Sequence, residues 1–180
     1  MPFEFEQLKL GGLVLIKPRV FPDKRGFFIE FYKKRDFVQA GIPVEFVQDN
    51  HSKSSKGVLR GLHFQRGAAA QGKLVRCISG AILDVAVDIR RGSPSFGKWE
   101  AAEITAENAH MIYVPPGFAH AFLVLSETAE IIYKCTVEYS PKDEGGIIWN
   151  DPEISVSWPI QAPLLSVGDI ALPRLKNAKL

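Results

Sequence analysis

Hydrophobic and polar positions along the chain follow the short-period pattern that is typical of β-strands. Segments rich in Val, Ile, Leu and aromatic residues are separated by Gly, Pro, Ser, Asn or Asp. These segments span residues 13–21, 45–50, 73–89, 97–104, 110–116, 121–126 and 130–139. The longest breaks at Ser79-Gly80, which predicts a hairpin turn between two strands. Short strands at roughly even spacing predict an all-β sandwich or barrel.

Alternation within a strand predicts which side chains share a face. Within 81–89 the odd-numbered positions are all apolar, which predicts a face buried in the core. Asp84 and Asp88 lie on the other face, and the pattern leaves open whether that face meets solvent or a polar barrel interior. Within 130–139, Tyr133 shares its face with apolar neighbours and could reach the same interior.

Helical signals are few. Residues 33–40 predict a short helix that Gly41 ends, and residues 105–108 predict a single turn capped by Thr105. The chain carries no internal repeat, low-complexity tract or linker-like segment. We therefore expect one all-β domain over residues 1–180, with short peripheral helices, an N-terminal arm over about 1–32 and an irregular C-terminal tail over about 157–180.

Composition narrows the classes of protein that fit. The chain has 180 residues, of which 46% are hydrophobic and 23% charged, and its net charge is +2. These values exclude a disordered chain and a nucleic-acid binder that works through bulk charge, but they allow a local anion site. Cys77 and Cys135 form no paired motif, which indicates reduced thiols. No signal peptide or membrane span is evident, so we expect a cytoplasmic protein with a soluble ligand, no membrane and no nucleic-acid partner.

Two segments resemble the halves of the cupin signature. GVLRGLHFQ (57–65) places His63 two residues before Gln65, and VPPGFAHAF (114–122) ends a Pro-x-Gly-x-x-His pattern at His120. Metal-binding cupins hold their ion with three His and one Glu, but Gln65 replaces one His here and Lys73 stands near the position of the Glu. The resemblance implies a cupin-type jelly roll. Because an ammonium repels a divalent cation, we expect that it needs no metal.

A histidine in a β-protein is more often packed or exposed than catalytic. Arg60, His63 and Lys73, however, are polar groups inside a strand-rich stretch, where buried cations are rare unless a partner compensates them. A cluster of Arg, His and Lys at the mouth of a barrel indicates an anionic ligand.

Longer motifs carry a more specific resemblance. FVQDNHSKSSKGVLRGLHFQ (46–65), QGKLVRCISGAILDVAVDIRRGSPSFGKW (71–99), VPPGFAHAFLVLSETAEIIYKCT (114–136) and IIWNDPEISVSWP (147–159) resemble the dTDP-4-dehydrorhamnose 3,5-epimerase family, and FPDKRGFFIEFY (21–32) is similar to that family's arm. The resemblance covers about residues 13–169. It implies a homodimer with exchanged strands that inverts carbons 3 and 5 of a dTDP-4-keto-6-deoxyhexose, without a cofactor, on the way to dTDP-L-rhamnose.

The resemblance also implies roles for individual residues. By position, His63 corresponds to the base, Asp169 to its partner, Tyr133 to the acid on the opposite face and Lys73 to the group that faces the keto oxygen. The implied substrate contacts are Arg25, Gln48, Asn50 and Arg60 at the diphosphate and nucleotide, Glu30 near the thymine, and His120 and Tyr139 at the sugar.

Two segments depart from the family pattern. LLSVGD (164–169) lacks the acidic residue and the Lys that commonly precede the Asp, and DEGGIIW (143–149) lacks a frequent Arg. The first departure leaves Asp169 matched on a weak local context.

The residue types fit enolate chemistry. A keto group at carbon 4 acidifies the protons on carbons 3 and 5, and a His of pKa about 6.5 is a better base at neutral pH than a carboxylate of pKa about 4. A carboxylate partner fixes the imidazole tautomer, an ammonium stabilises the enolate oxygen and a phenol returns the proton. Three alternatives stay open: a mono-epimerase of carbon 3 or 5, a non-catalytic nucleotide-sugar sensor, and a metal-dependent cupin oxygenase.

Overall fold

Two β-sheets face each other in the computed structural model, which describes residues 2–180. The strands are β1 (Phe3–Gln7), β2 (Val14–Pro18), β3 (Val20–Asp23), β4 (Gly26–Ile29), β5 (Gln48–Ser55), β6 (Leu59–Gln65), β7 (Lys73–Ser79), β8 (Ala81–Asp88), β9 (Trp99–Thr105), β10 (Met111–Val114), β11 (Phe118–Val124), β12 (Thr128–Cys135) and β13 (Glu144–Gly146). Two short α-helices, α1 (Lys34–Gln39) and α2 (Val167–Ile170), and 3-10 turns at Gly67–Ala69, Pro141–Asp143 and Leu175–Asn177 lie outside the sheets. The predicted all-β, cupin-type fold with short peripheral helices is confirmed.

The first sheet has the strand order β1-β2-β10-β7-β12-β5 and the second has the order β13-β6-β11-β8-β9. β3 and β4 form a separate two-stranded hairpin in the predicted arm. The ladders within both sheets are antiparallel. Because β5 and β13 are edge strands, the two sheets meet at an open edge there, and this edge holds the site described below.

Most strand predictions are confirmed, with shifted ends. The predicted break at Ser79-Gly80 joins β7 to β8, and Gly80 has a φ of +79°, which favours glycine. The predicted helix at 33–40 appears as α1. At 105–108 the structure has a turn, in which Thr105 Oγ1 accepts from the Asn108 amide at 2.8 Å. The hydrophobic pattern did not predict β6, because its polar residues interrupt the run of apolar ones.

The polar face of β8 turns inward. Asp84 and Asp88 are both 0% exposed, so the barrel interior, and not solvent, is the environment of that face. Ile82 and Ala86, on the same face, belong to the core between the two sheets. The odd-numbered apolar face of β8 is also buried, but on the outside of the sheet, where the segment 147–180 covers it. Both faces of this strand are therefore in contact with packed protein.

Helix α1 packs against the outer face of the first sheet. Phe37 of α1 is 1% exposed and packs with Leu74, Met111 and Tyr113. Its ring also meets Tyr32 at an edge, with centroids 4.9 Å apart. The helix thereby fixes the back of β7 and β10, and β7 carries Lys73.

The hairpin of β3 and β4 is the exception to this packing. Its residues are almost all exposed, including the aromatic rings of Phe21, Phe27 and Phe28, of which the last two are 64% and 65% exposed. An apolar hairpin of this kind has a large surface that its own chain leaves in water. Among residues 2–180, no helix is long and apolar enough to cross a membrane.

Candidate active site

A cavity of about 170 Å³ lies between the two sheets, and we call it the inner cavity. Both walls supply polar side chains, and the lining consists of Ser52, Arg60, His63, Lys73, Val75, His120, Phe122, Ile131 and Tyr133. Of the residues that the resemblance singles out, the structure therefore brings together Arg60, His63, Lys73, His120 and Tyr133.

His63 lies on β6 in the second sheet, and Asp169 lies on α2 in the C-terminal tail. The ring atom Nε2 of His63 is 2.5 Å from Oδ1 of Asp169, which is 4% exposed. Because a carboxylate only accepts hydrogen bonds, Nε2 carries the proton and Nδ1 is left as the basic nitrogen. Burial lowers the pKa of His63, and the charge and hydrogen bond of Asp169 oppose that change. The imidazole is therefore neutral and able to accept a proton at neutral pH.

The tail positions Asp169 through a local motif. Ser166 is the N-cap of α2: its Oγ accepts from the Asp169 amide at 3.0 Å and donates to Asp169 Oδ2 at 2.7 Å. This Ser-x-x-Asp pattern resembles a capping box. A bridge between Val58 and Leu164 holds the tail next to β6. The weak match of 164–169 to the family pattern therefore does not prevent Asp169 from reaching His63.

Tyr133 lies on β12 in the first sheet and so on the wall opposite His63. It pairs with Val75 on β7 and Asn50 on β5, and burial raises the pKa of its hydroxyl. A raised pKa keeps the phenol protonated at neutral pH, so it can donate. A molecule between the two walls would have a base on one side and an acid on the other.

Lys73 begins β7 and pairs with Cys135 on β12. Burial lowers the pKa of the Lys73 ammonium, while the nearby Cys135, Asp84 and Glu144 act to raise it. Lys73 is thus a cation in a largely apolar setting, where its charge interacts strongly with any oxyanion in the cavity.

His120 lies directly opposite His63 in the ladder between β11 and β6. The two strands approach closely at Gly61, where a Cβ atom would lie 2.5 Å from the His120 carbonyl oxygen. His120 is 9% exposed, and its Nε2 lies 2.8 Å and 3.0 Å from the two oxygens of Asp84. Two His–Asp pairs therefore stand side by side on one wall.

A second pocket, of about 280 Å³, shares His63, Lys73 and Tyr133 with the inner cavity and leads outward along β5; we call it the mouth. Gln48, Asn50 and Tyr139, all predicted contacts, line it. Gln48 donates to Asn50 at 3.0 Å and accepts from the Tyr139 amide at 2.8 Å. This arrangement fixes the Tyr139 backbone beside the edge strand.

Glu144 also lines the mouth, and sequence reasoning missed it. Its Oε2 accepts from the Tyr139 hydroxyl at 2.8 Å, and this hydrogen bond raises the pKa of Tyr139. Glu144 begins β13, which has three residues and contains two glycines, so no strand pattern marks it in the sequence.

A third space, the outer cleft, has a volume of about 630 Å³ and adjoins the inner cavity at Arg60 and His63. Its cationic residues are Arg60, Arg66 and Lys179. Arg60 is exposed and donates through Nε to Ser54 Oγ at 3.1 Å, which leaves its terminal nitrogens free of hydrogen bonds to the described residues. An anionic group can reach this guanidinium from solvent.

Arg25 and Glu30 are the predicted site residues that the structure does not bring to this site. Both lie on the exposed arm and line neither cavity, mouth nor cleft of their own chain. Arg25 is paired with Asp23 at 2.6 Å, and Glu30 lies 3.7 Å from Lys33. Within residues 2–180, no three His, Cys, Asp or Glu side chains are grouped so that they could hold a metal ion.

Comparison with known proteins gives a consistent result. The family model for dTDP-4-dehydrorhamnose 3,5-epimerase matches residues 7–177. The dTDP-4-dehydrorhamnose 3,5-epimerase of Salmonella typhimurium is 55% identical over 173 residues, which cover 95% of this chain and 94% of that protein.

Solved structures of sugar-nucleotide epimerases have the same fold as this chain. The dTDP-6-deoxy-D-glucose-3,5-epimerase of Legionella pneumophila, in complex with dTDP-4-keto-L-rhamnose, superposes with a TM-score of 0.94 at 42% identity, covering 97% of this chain and 94% of that one. A 3'-monoepimerase of Streptomyces bikiniensis, in complex with dTDP-quinovose, has a TM-score of 0.90 at 35% identity and covers 95% and 87% of the two chains.

Proposed function

Since the chain belongs to the dTDP-4-dehydrorhamnose 3,5-epimerase family, we propose that it inverts carbons 3 and 5 of dTDP-4-dehydro-6-deoxy-D-glucose to give dTDP-4-dehydro-L-rhamnose. One observation carries the proposal: His63, held by Asp169, and Tyr133 line opposite walls of one cavity that also contains Lys73. Inversion at a carbon next to a ketone needs a base and an acid on opposite faces of the ring, and this cavity offers both.

The chemistry is an enolisation. His63 Nδ1 takes the proton from carbon 3, the electron pair of that C–H bond forms the enolate, and Lys73 stabilises the negative oxygen at carbon 4. Tyr133 then protonates carbon 3 from the other side and the carbonyl re-forms. Exchange with solvent returns the proton of His63 to water and restores that of Tyr133, after which the same cycle operates at carbon 5. Each cycle leaves the substrate's atoms balanced and consumes no oxidant or metal.

The remaining polar residues fit the rest of the substrate. We assign the diphosphate to Arg60, the nucleotide to Gln48 and Asn50 in the mouth, and the sugar hydroxyls to His120. Tyr139, which the resemblance places at the sugar, we assign to the nucleotide instead. A diphosphate favours a guanidinium that offers two parallel donors, and Arg60 has free terminal nitrogens at the cleft. Phenol rings such as that of Tyr139, which is 49% exposed, offer a flat face on which a base can stack.

A homodimer with exchanged arms would explain the position of Arg25 and Glu30. Arg25 lies at the turn of the exposed hairpin of β3 and β4, whose apolar rings are open to water, and Glu30 directly follows β4. We infer that this arm docks on a second copy of the chain and brings Arg25 and Glu30 to the mouth of that copy's site. Buried free thiols at Cys77 and Cys135 fit a reducing, cytoplasmic setting.

The test is deuterium uptake by dTDP-4-keto-6-deoxyglucose in heavy water, followed by mass spectrometry and NMR in the presence of a chelator. We expect uptake at carbons 3 and 5 that the chelator does not reduce. His63→Ala should abolish uptake at both carbons. His51→Ala is the matched control, because His51 lies on the outward face of β5 beside Glu130 and should leave uptake unchanged.

Other outcomes separate the alternatives. Uptake at one carbon alone would indicate a mono-epimerase, a reading favoured by the likeness to the Streptomyces bikiniensis enzyme. Binding without any uptake would indicate a nucleotide-sugar sensor. Loss of uptake with the chelator would contradict the metal-free mechanism, and full activity of His63→Ala would remove the assigned base.

A further inference from the structure

The second His–Asp pair has no part in the proton transfers described above. Asp84 lies on β8 and is 0% exposed, and its hydrogen bonds are those to Nε2 of His120 at 2.8 Å and 3.0 Å. A buried carboxylate is costly unless charged or hydrogen-bonded groups compensate it. An apolar residue would serve a purely structural role as well, because the neighbours Ile82 and Ala86 on the same face pack in the core between the sheets.

The hydrogen bond determines the state of the His120 ring. Because an ionised carboxylate only accepts, His120 must hold a proton on Nε2, and Nδ1 is the nitrogen left for another partner. His120 lines the inner cavity, whereas Asp84 does not. The pair therefore has the arrangement of His63 with Asp169 on the adjacent strand, where Nε2 also faces the carboxylate.

We propose that Asp84 is a positioning residue for the epimerisation: it holds His120 with Nδ1 toward the cavity as an acceptor for a sugar hydroxyl, and its charge balances the ammonium of Lys73. This inference rests on the proposed function. It gives the two His–Asp pairs different roles: His63 moves protons, and His120 orients the sugar.

The charge balance follows from what surrounds Lys73. The titratable groups nearest to it are Cys135 and Tyr133 on β12, His63 on β6, His120 on β11, Asp84 on β8 and Glu144 on β13. Of the two carboxylates, Glu144 lies at the mouth and is also the acceptor for Tyr139, whereas Asp84 is fully buried. Coulomb interactions are strongest where water is excluded, so Asp84 is the more effective counter-charge.

The pKa of Lys73 determines how activity changes at alkaline pH. Burial lowers the pKa of Lys73, and the carboxylate of Asp84 raises it. Activity requires the ammonium and is lost as pH rises through that pKa. Removing the charge of Asp84 lowers the pKa of Lys73 further, so the alkaline limb of the pH–rate profile moves to lower pH. Burial raises the pKa of Tyr133, so the phenol keeps its proton at neutral pH.

The variant to measure is Asp84→Asn, which keeps the shape of the side chain. We expect kcat/KM for deuterium exchange to fall about 10- to 100-fold, the size expected when a charged hydrogen bond in a buried site is lost. The alkaline limb should move to lower pH. The matched control is Asp88→Asn on the same strand, because Asp88 is equally buried but bonded to Arg90, Ser93 and Ser95 away from the cavity. The alkaline limb of the pH–rate profile of Asp88→Asn should stay at the wild-type position.

A second measurement applies if Asp84→Asn does not fold. The ring ¹⁵N spectrum of wild-type protein at pH 8, with His120 assigned through His120→Gln, should show the Nε2–H tautomer for His120. An Nδ1–H tautomer or a doubly protonated ring would overturn the inference, as would an Asp84→Asn variant with an unmoved alkaline limb. If the wild-type protein catalyses no exchange, the proposed function fails, and the tautomer of His120 still tests the role of Asp84 separately.

Discussion

The residue that we assign as the base is paired with a side chain distant in sequence. His63 and Asp169 are 106 positions apart, yet their side chains form a 2.5 Å hydrogen bond. The carboxylate fixes which nitrogen faces the cavity and supports the imidazolium that forms when a proton is taken. The pKa of His63 reflects this balance, because burial lowers it and Asp169 raises it.

Asp169→Asn is predicted to lower kcat on the order of 100-fold or more, because the amide can impose the wrong tautomer on His63. The base must be neutral, so activity rises with pH through the pKa of His63. Without the carboxylate that pKa falls further, and the acid limb of kcat/KM should move to lower pH. The control is Asp49→Asn, an outward-facing carboxylate on β5 paired with Lys134. An acid limb that stays in place or moves to higher pH would contradict the assignment.

Sequence patterns alone would not have identified these residues. Alternation placed Tyr133 on a face that could reach an interior, but the roles of His63, Lys73, Tyr133 and Asp169 came from the family resemblance. The pattern could not decide the environment of Asp84, because a strand face with two carboxylates is as compatible with solvent as with a polar interior, and the structure buries it. Glu144 had no signal, because a three-residue strand with two glycines has too few side chains to alternate.

Elements were predicted better than their contacts. The strand segments, the turn at Ser79-Gly80 and α1 follow from local patterning, whereas the pairing of β6 with β11 and β13 depends on contacts distant in sequence. The loop after β8 shows what such contacts achieve. Asp88 receives hydrogen bonds from Arg90, Ser93 and Ser95 at 2.6–2.9 Å and thereby closes the turn toward β9.

Asp88→Asn is predicted to lower the free energy of unfolding by about 2 kcal/mol at neutral pH, since a buried carboxylate loses charge-assisted hydrogen bonds. Burial alone would raise the pKa of Asp88, but the bonds from Arg90, Ser93 and Ser95 outweigh it and hold the pKa far below its usual range. Because the folded-state pKa is lowered, this stabilisation is present above the unfolded pKa of about 4 and is lost as pH falls toward the folded value.

Urea unfolding between pH 3 and 7 measures this effect. The gap between wild type and Asp88→Asn should be widest above about pH 4 and should narrow at lower pH. Glu127→Gln, which removes an exposed ion pair with Lys56, is the control and should change the unfolding free energy by less than about 1 kcal/mol. A gap that is constant with pH would show that the Asp88 charge does not matter.

At the scale of the whole molecule, one chain holds two parts of a site that do not meet within it. The inner cavity and mouth carry the groups to which we assign catalysis, while Arg25 and Glu30 lie on the arm. If the arm completes the site of a second copy, then each site in a dimer draws its base from one chain and its Arg25 from the other.

Mixing two inactive variants tests that arrangement. His63→Ala and Arg25→Ala are each expected to be impaired, but after co-refolding the mixed dimers contain one site with both residues intact. Random pairing makes about half of the dimers mixed, so roughly a quarter of wild-type activity should return. If each site uses its own Arg25, mixing restores nothing. Light scattering on the wild-type protein and both variants provides the necessary check that each forms the proposed dimer.

The docking of the tail on β6 has a consequence for when the protein becomes active. Val58 and Leu164 bridge the tail to the strand end, and Asp169 follows five positions later. The strands of both sheets precede that segment in the chain, and His63 has no partner to set its tautomer until Asp169 is in place. During refolding, the strand signal should therefore return earlier than turnover. Docking of the tail is thus a condition of activity, so that chains with an undocked tail are expected to be inactive toward the substrate.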